Sequence, residues 1–206
     1  MFRLILILIL LSLPVQSLTL TDKIRLTHEL SNECLKYNAP CVVKIINKPE
    51  LNAYTTREGE IYITKAMLEQ LSYEQVKAVG LHEVGHHVLK HLQRSDDYFN
   101  RAIAQPVLFK PENITKMRHK HEHEADIFAT KHYIDRGEFN PLPSVLIYVR
   151  PSDSHNITTD THPSTTKRIE IMRDFSREFR TNKSSSIIIR TFPSTYIKGI
   201  KLEWNE

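Results

Sequence analysis

Apolar residues recur along this chain with two periods, and the switches between them divide it into elements. In TDKIRLTHELSNECLKY, Leu26, Leu30 and Cys34 fall four apart behind a Thr21 cap with Asp22 in the first turn, which predicts an amphipathic helix ended by Pro40. The period then shortens. CVVKII and EIYIT, rich in β-branched and aromatic residues, read as paired strands separated by the turn-like NKPELNAYTTREG. AMLEQL predicts a short helix, and Ser72 with Gln75 forms a capping box for a longer one reaching about Leu92. From Ser95 to Lys116 the pattern weakens and Pro106 and Pro111 break it, as in a loop or a set of short helical pieces rimming a site. Helical periodicity resumes in HEHEADIFATKHYI. Gly137, Pro141 and Pro143 then punctuate the chain, SVLIYV fits strand or helix, and RPSDSHNITTDTHPS is loop. TTKRIEIMRDFSREF is helical, with Ile169, Met172, Phe175 and Phe179 at three-to-four spacing. The whole predicts an α+β domain, mainly helical, with a small β-sheet.

Length and the two ends refine this picture. The 206 residues suit one domain, which we place at residues 18–180. Residues 1–17, MFRLILILILLSLPVQS, read as a signal peptide: Arg3 precedes an apolar run from Leu4 to Leu13 that is too short to span a bilayer, and Val15 and Ser17 fit a cut after Ser17. An uncut N-terminal anchor is the alternative. Residues 181–206 read as a β-prone tail. Export to an oxidising compartment would let Cys34 and Cys41, the only two cysteines, form a disulfide. The 28 Lys and Arg against 24 Asp and Glu are scattered without aromatic interleaving, so nucleic acid is not an expected partner.

Candidate chemistry is concentrated in LHEVGHHVLKH. His82, Glu83 and His86 form HExxH, and in a helix two residues four apart lie about 40° from one another around the axis, so both imidazoles can face one metal ion. Glu83 lies about 60° further round, placed to take a proton from water without being a ligand. Leu81, Val84, Val88 and Leu92 form the opposite, core-facing side, and Gly85 offers close approach to another backbone. A third ligand is needed, because catalytic zinc takes three protein groups, of which His, His, Glu is one set. KHEHEADIFA supplies it: Glu122 and Asp126 share a helical face with Ala125 and Ala129, small residues that permit close packing. Glu122 is then the third ligand to one zinc ion per chain, and Asp126 accepts the free N–H of a liganding imidazole. His121 and His123 point to either side of Glu122, and His87 and His91 leave the shared face, all four as rim or surface residues.

Taken together, VKIINKPELNAYTTREGEIYITKAMLEQLSYEQVKAVGLHEVGHHVLKH, EHEAD and THPSTTKRIEIM resemble peptidase family M48, the zinc metallopeptidases of the HtpX, BepA and CAAX prenyl protease type. The resemblance runs over residues 42–172. It implies a gluzincin-like zincin fold, His82, His86 and Glu122 as zinc ligands, Glu83 as base and Asp126 in support. It also places His162, in the His-Pro segment before Arg168, near the zinc as a further catalytic residue. After residue 17 no stretch approaches the ~20 apolar residues that cross a bilayer. The expected function is a zinc-dependent endopeptidase acting on protein or peptide substrates of the cell envelope or exterior, such as misfolded envelope proteins, in periplasmic quality control. A metal-stabilised chaperone or binding module that does not cut, and a secreted effector protease, are the alternatives. The strand Ile61 to Thr64 is the expected edge for a substrate segment, and His162, Arg168 or a tyrosine the expected oxyanion donor.

Overall fold

A computed structural model describes residues 17–106, 110–149, 155–159 and 161–184 of the chain. The expected signal peptide, but for Ser17, and the tail beyond Ser184 lie outside the described residues. The elements run α1 (Leu20–Lys36), β1 (Val42–Ile46), β2 (Ala53–Thr55), β3 (Glu60–Thr64), α2 (Lys65–Gln70), α3 (Tyr73–Val88), α4 (His91–Ala104), α5 (Pro111–Arg136), α6 (Leu142–Val149) and α7 (Thr165–Ser184). Helix dominates, with one small sheet beside it, as the sequence predicts. Among the described residues no helix is long and apolar enough to cross a membrane.

Helix α1 begins two residues earlier than Thr21 suggests. Thr19 is its cap, with the Thr19 side chain accepting from the Asp22 amide and Asp22 accepting from the Thr19 amide. Leu26, Leu30 and Cys34 are fully buried as the spacing demands, and Cys34 is bonded to Cys41. The disulfide joins the end of α1 to the residue before β1. In the sheet the order is β1-β3-β2, with β1 parallel and β2 antiparallel to β3. This overturns the expectation that the strand Ile61 to Thr64 is an edge: both of its sides are paired, and the open edges belong to β1 and β2. The three-residue β2 lies inside the stretch that reads as turn, too short to show alternation.

Two further departures concern helices. The HExxH helix does not continue to Leu92: α3 stops at Val88, Lys90 adopts a left-handed conformation (φ 56°), and α4 starts at His91. Leu81 and Val84 are buried and Val88 partly so, but Leu92 is exposed. The region from Ser95 to Lys116 is mostly helical, because Pro111 opens α5 instead of interrupting it; a proline in the first turn forfeits no intrahelical hydrogen bond. SVLIYV is helix, in α6.

Helix α3 is buried along most of its length and packs most extensively on α5. The approach is close at Gly85, where a built Cβ would lie 3.1 Å from Ala125 Cα and 3.1 Å from Phe128 Cβ. Helix α5 is also tied to α1 through Glu33, whose carboxylate takes Lys36 Nζ at 2.6 Å and stands 3.2 Å from His132 Nδ1. Burial works against the charge on Glu33, but His132 and Lys36 outweigh it and hold the carboxyl down at about 2.

These two contacts give two predictions. Gly85→Ala should destabilise the fold by about 1–2 kcal/mol in urea unfolding, because the backbone contact costs more than the roughly 1 kcal/mol that helix propensity returns. Glu33 has a folded-state pKa below its unfolded one, so its contribution is present above the ordinary carboxylate range and disappears as pH falls toward 2. Glu33→Gln should therefore cost about 2 kcal/mol at neutral pH, with the difference from the unmodified protein shrinking between pH 4.5 and pH 2.

Candidate metal centre

His82 and His86 are one turn apart on α3, and Glu122 faces them from α5. Their ligand atoms all lie within 4.8 Å of one another, and the three could hold a metal ion. The separations are 3.1 Å between the two Nε2 atoms, 3.6 Å from His82 Nε2 to Glu122 Oε2, and 3.4 Å from His86 Nε2 to Glu122 Oε1. Ligands about 2 Å from a tetrahedral ion stand roughly 3.3 Å apart, so the set has the spacing that zinc asks for. Glu122 Oε2 is buried and makes no hydrogen bond of good geometry, although Arg168 Nη1 approaches to 3.2 Å. Two nitrogens and an unsatisfied carboxylate oxygen make a donor set that fits zinc.

Each neighbour of the set has a physical reason for its place. Glu83 follows His82 on α3 and is 8% exposed; burial pushes its carboxyl above the usual carboxylate range. Burial works against the charge on Glu122, yet His86 and Arg168 outweigh it and hold the carboxyl well below 4.5. His86 is likewise disfavoured as a cation by burial, and Glu122 reverses this and raises it. Asp126, fully buried one turn beyond Glu122, stands with Oδ1 3.0 Å from His82 Nδ1, a close contact without well-aligned hydrogen-bond geometry. It brings together the pair that the spacing on α5 predicts.

Arg168, one of three oxyanion donors that the sequence leaves open, is engaged elsewhere. It is 5% exposed and grips Asp126 with Nε to Oδ2 at 2.7 Å and Nη2 to Oδ1 at 2.6 Å. A guanidinium committed in this way holds the carboxylates in position and is not free to meet an oxyanion. Burial opposes its charge, and Asp126 and Glu122 more than compensate, raising its pKa. His162 is brought to the site: its Nε2 lies 3.7 Å from Glu122 Oε2 with the side chain 44% exposed. His119 Nε2 contacts Thr159 O at 2.7 Å, and the Thr159 hydroxyl accepts from the His162 amide at 3.0 Å, so the His-Pro loop is moored to α5.

The remaining histidines correct the expectation of a rim. His91, His121 and His123 are 1%, 5% and 7% exposed. Burial lowers His91 to about 3 and His121 to about 4, and their rings stack with centroids 4.3 Å apart. Of the four, His87 alone keeps partial exposure, with Nε2 3.1 Å from Pro40 O. The helix break at Lys90 turns His91 inward, and a lysine gives no sequence signal for such a break.

The Asp126–Arg168 pair carries its own prediction. Removing one partner of a buried pair strands the other charge, so Arg168→Met should cost about 3–5 kcal/mol in chemical unfolding of the metal-free protein.

The family model of Peptidase family M48 matches residues 24–111. No curated protein matches the chain. The matched segment runs from α1 to the first residue of α5 and contains His82, Glu83 and His86; Glu122 lies beyond it and joins the group by geometry. M48 peptidases are zinc-dependent metallopeptidases that act on proteins. Over residues 24–111, this chain is similar to peptidase family M48.

Proposed function

We propose that the chain is a zinc-dependent endopeptidase in which His82, His86 and Glu122 hold one ion and Glu83 is the general base. The observation that carries this reading is the convergence of two Nε2 atoms and the Glu122 carboxylate at tetrahedral spacing, with Glu83 buried beside them. Zinc bound there would polarise a peptide carbonyl and acidify water. Glu83 takes the proton of the attacking water and hands it to the leaving amine; its burial favours the protonated form it passes through. Asp126 orients His82, and Arg168 holds Asp126. His162, half-exposed with Nε2 toward the site, is better placed than Arg168 to donate to the oxyanion. An extended substrate would pair with an open strand edge, β1 or β2.

The substrates in this reading are proteins of the cell envelope or exterior, and the task is removal of misfolded chains. Support comes from the signal-peptide-like pattern of residues 1–17 and from the Cys34–Cys41 bond, since disulfides persist in oxidising compartments.

The test is zinc content and casein cleavage for the chain from Leu18 onward. The unmodified protein should hold one zinc and cut. Glu83→Gln should keep zinc and lose at least a hundredfold in turnover, as expected for loss of a general base; Glu122→Ala should lose both. Zinc retained without cutting in the unmodified protein would instead favour a binding or chaperone module, and suppression of aggregation unaffected by Glu83→Gln would establish it.

A further inference from the structure

The two candidate imidazole ligands are supported differently. His82 Nδ1 meets a carboxylate directly, Asp126, but among the described residues no carboxylate meets Nδ1 of His86. What faces it is another imidazole: His91 Nδ1 lies 2.9 Å from His86 Nδ1. The other nitrogen of His91, Nε2, lies 2.9 Å from Glu124 Oε2. Arg94 donates to both oxygens of Glu124, which is 5% exposed. The guanidinium keeps that carboxylate an acceptor.

Proton counting fixes the rest. Glu124 accepts, so His91 Nε2 carries hydrogen. A neutral imidazole has one N–H, so His91 Nδ1 presents a lone pair. The hydrogen between the two Nδ1 atoms then belongs to His86, and His86 Nε2 is left bare on the side where His82 Nε2 and Glu122 converge. We infer that His91 is a positioning residue that passes the charge of Glu124 on to His86, fixing the His86 tautomer and ring orientation for metal ligation. The inference rests on the reading of His82, His86 and Glu122 as metal ligands.

The backbone is shaped to allow this relay. In an uninterrupted helix a residue five positions on lies about 140° away around the axis, so His91 would point away from His86. The chain breaks at Lys90, in a left-handed conformation that a non-glycine residue adopts at a cost, and His91 restarts the helix with its ring turned back. The parallel stack on His121, at an interplanar angle of 5°, then sets the plane of the ring. Metal-bound histidines elsewhere are held by a carboxylate, a carbonyl or water, and removing that partner costs 10–100-fold in metal affinity. Here an imidazole and a carboxylate in series do the same work.

Two measurements test it. Long-range proton–nitrogen correlation spectra of the metal-free protein, recorded at a pH where they show both imidazoles to be neutral, should show His86 protonated on Nδ1 and His91 on Nε2. Zinc affinity, measured by competition with a chromophoric chelator, should fall 10–100-fold in His91→Phe, which keeps a ring against His121 but offers no acceptor. His91→Gln, whose carbonyl can accept from His86, should recover part of the loss. A proton on His86 Nε2, or a folded His91→Phe that binds zinc within twofold of the unmodified protein, would overturn the relay. Should His91→Phe fail to fold, the spectra of the unmodified protein decide. Absence of zinc binding in the unmodified protein would sink the peptidase reading instead, while the metal-free spectra would still settle where the proton sits.

Discussion

Everything in this domain depends on how closely α3 and α5 approach at Gly85. A side chain there would run into the Ala125 backbone and Phe128, and separation of the two helices would pull His82 and His86 away from Glu122. The same approach sets His82 against Asp126 and allows His91 to reach Glu124. Glycine is a poor helix former, by about 1 kcal/mol relative to alanine. Its presence inside α3 therefore means that the spacing between the helices outweighs local helix stability.

Around that contact, α5 is secured by charge on three sides. Glu33 of α1 meets His132, Arg94 of α4 meets Glu124, and Arg168 of α7 meets Asp126. Buried pairs contribute little net stability, because desolvation offsets most of the attraction, but breaking one is expensive. They define geometry more than they add stability. The three contacts tie α5 to α1, α4 and α7.

Helical arithmetic made the centre of this site legible in the sequence. Spacing of four within α3 and within α5 is a local property, so His82, His86, Glu122 and Asp126 follow from it, as does the buried stripe Leu26, Leu30, Cys34 of α1. What escaped depends on contacts between distant segments. Arg168 reads from the sequence as one of three candidate oxyanion donors, and its grip on Asp126, which lies in another segment, shows only in the fold. The sheet order cannot be read from alternation when one strand has three residues, and so the central strand β3 passed for an edge. His91 was misplaced for a different reason: Lys90 breaks the helix in a conformation that favours glycine, and nothing in the residue type announces it.

The positions of the two helices that carry the candidate ligands have a consequence for folding. His86 lies in the last turn of one and Glu122 within the other, and all of α4 is strung between them. An ion gripped from both sides would close that intervening stretch as a cross-link does, removing the conformational freedom of everything in between. Chelation would then relax α4 and its connections along with the chemistry, and a metal chelator would act on this domain as a local denaturant as well as an inhibitor.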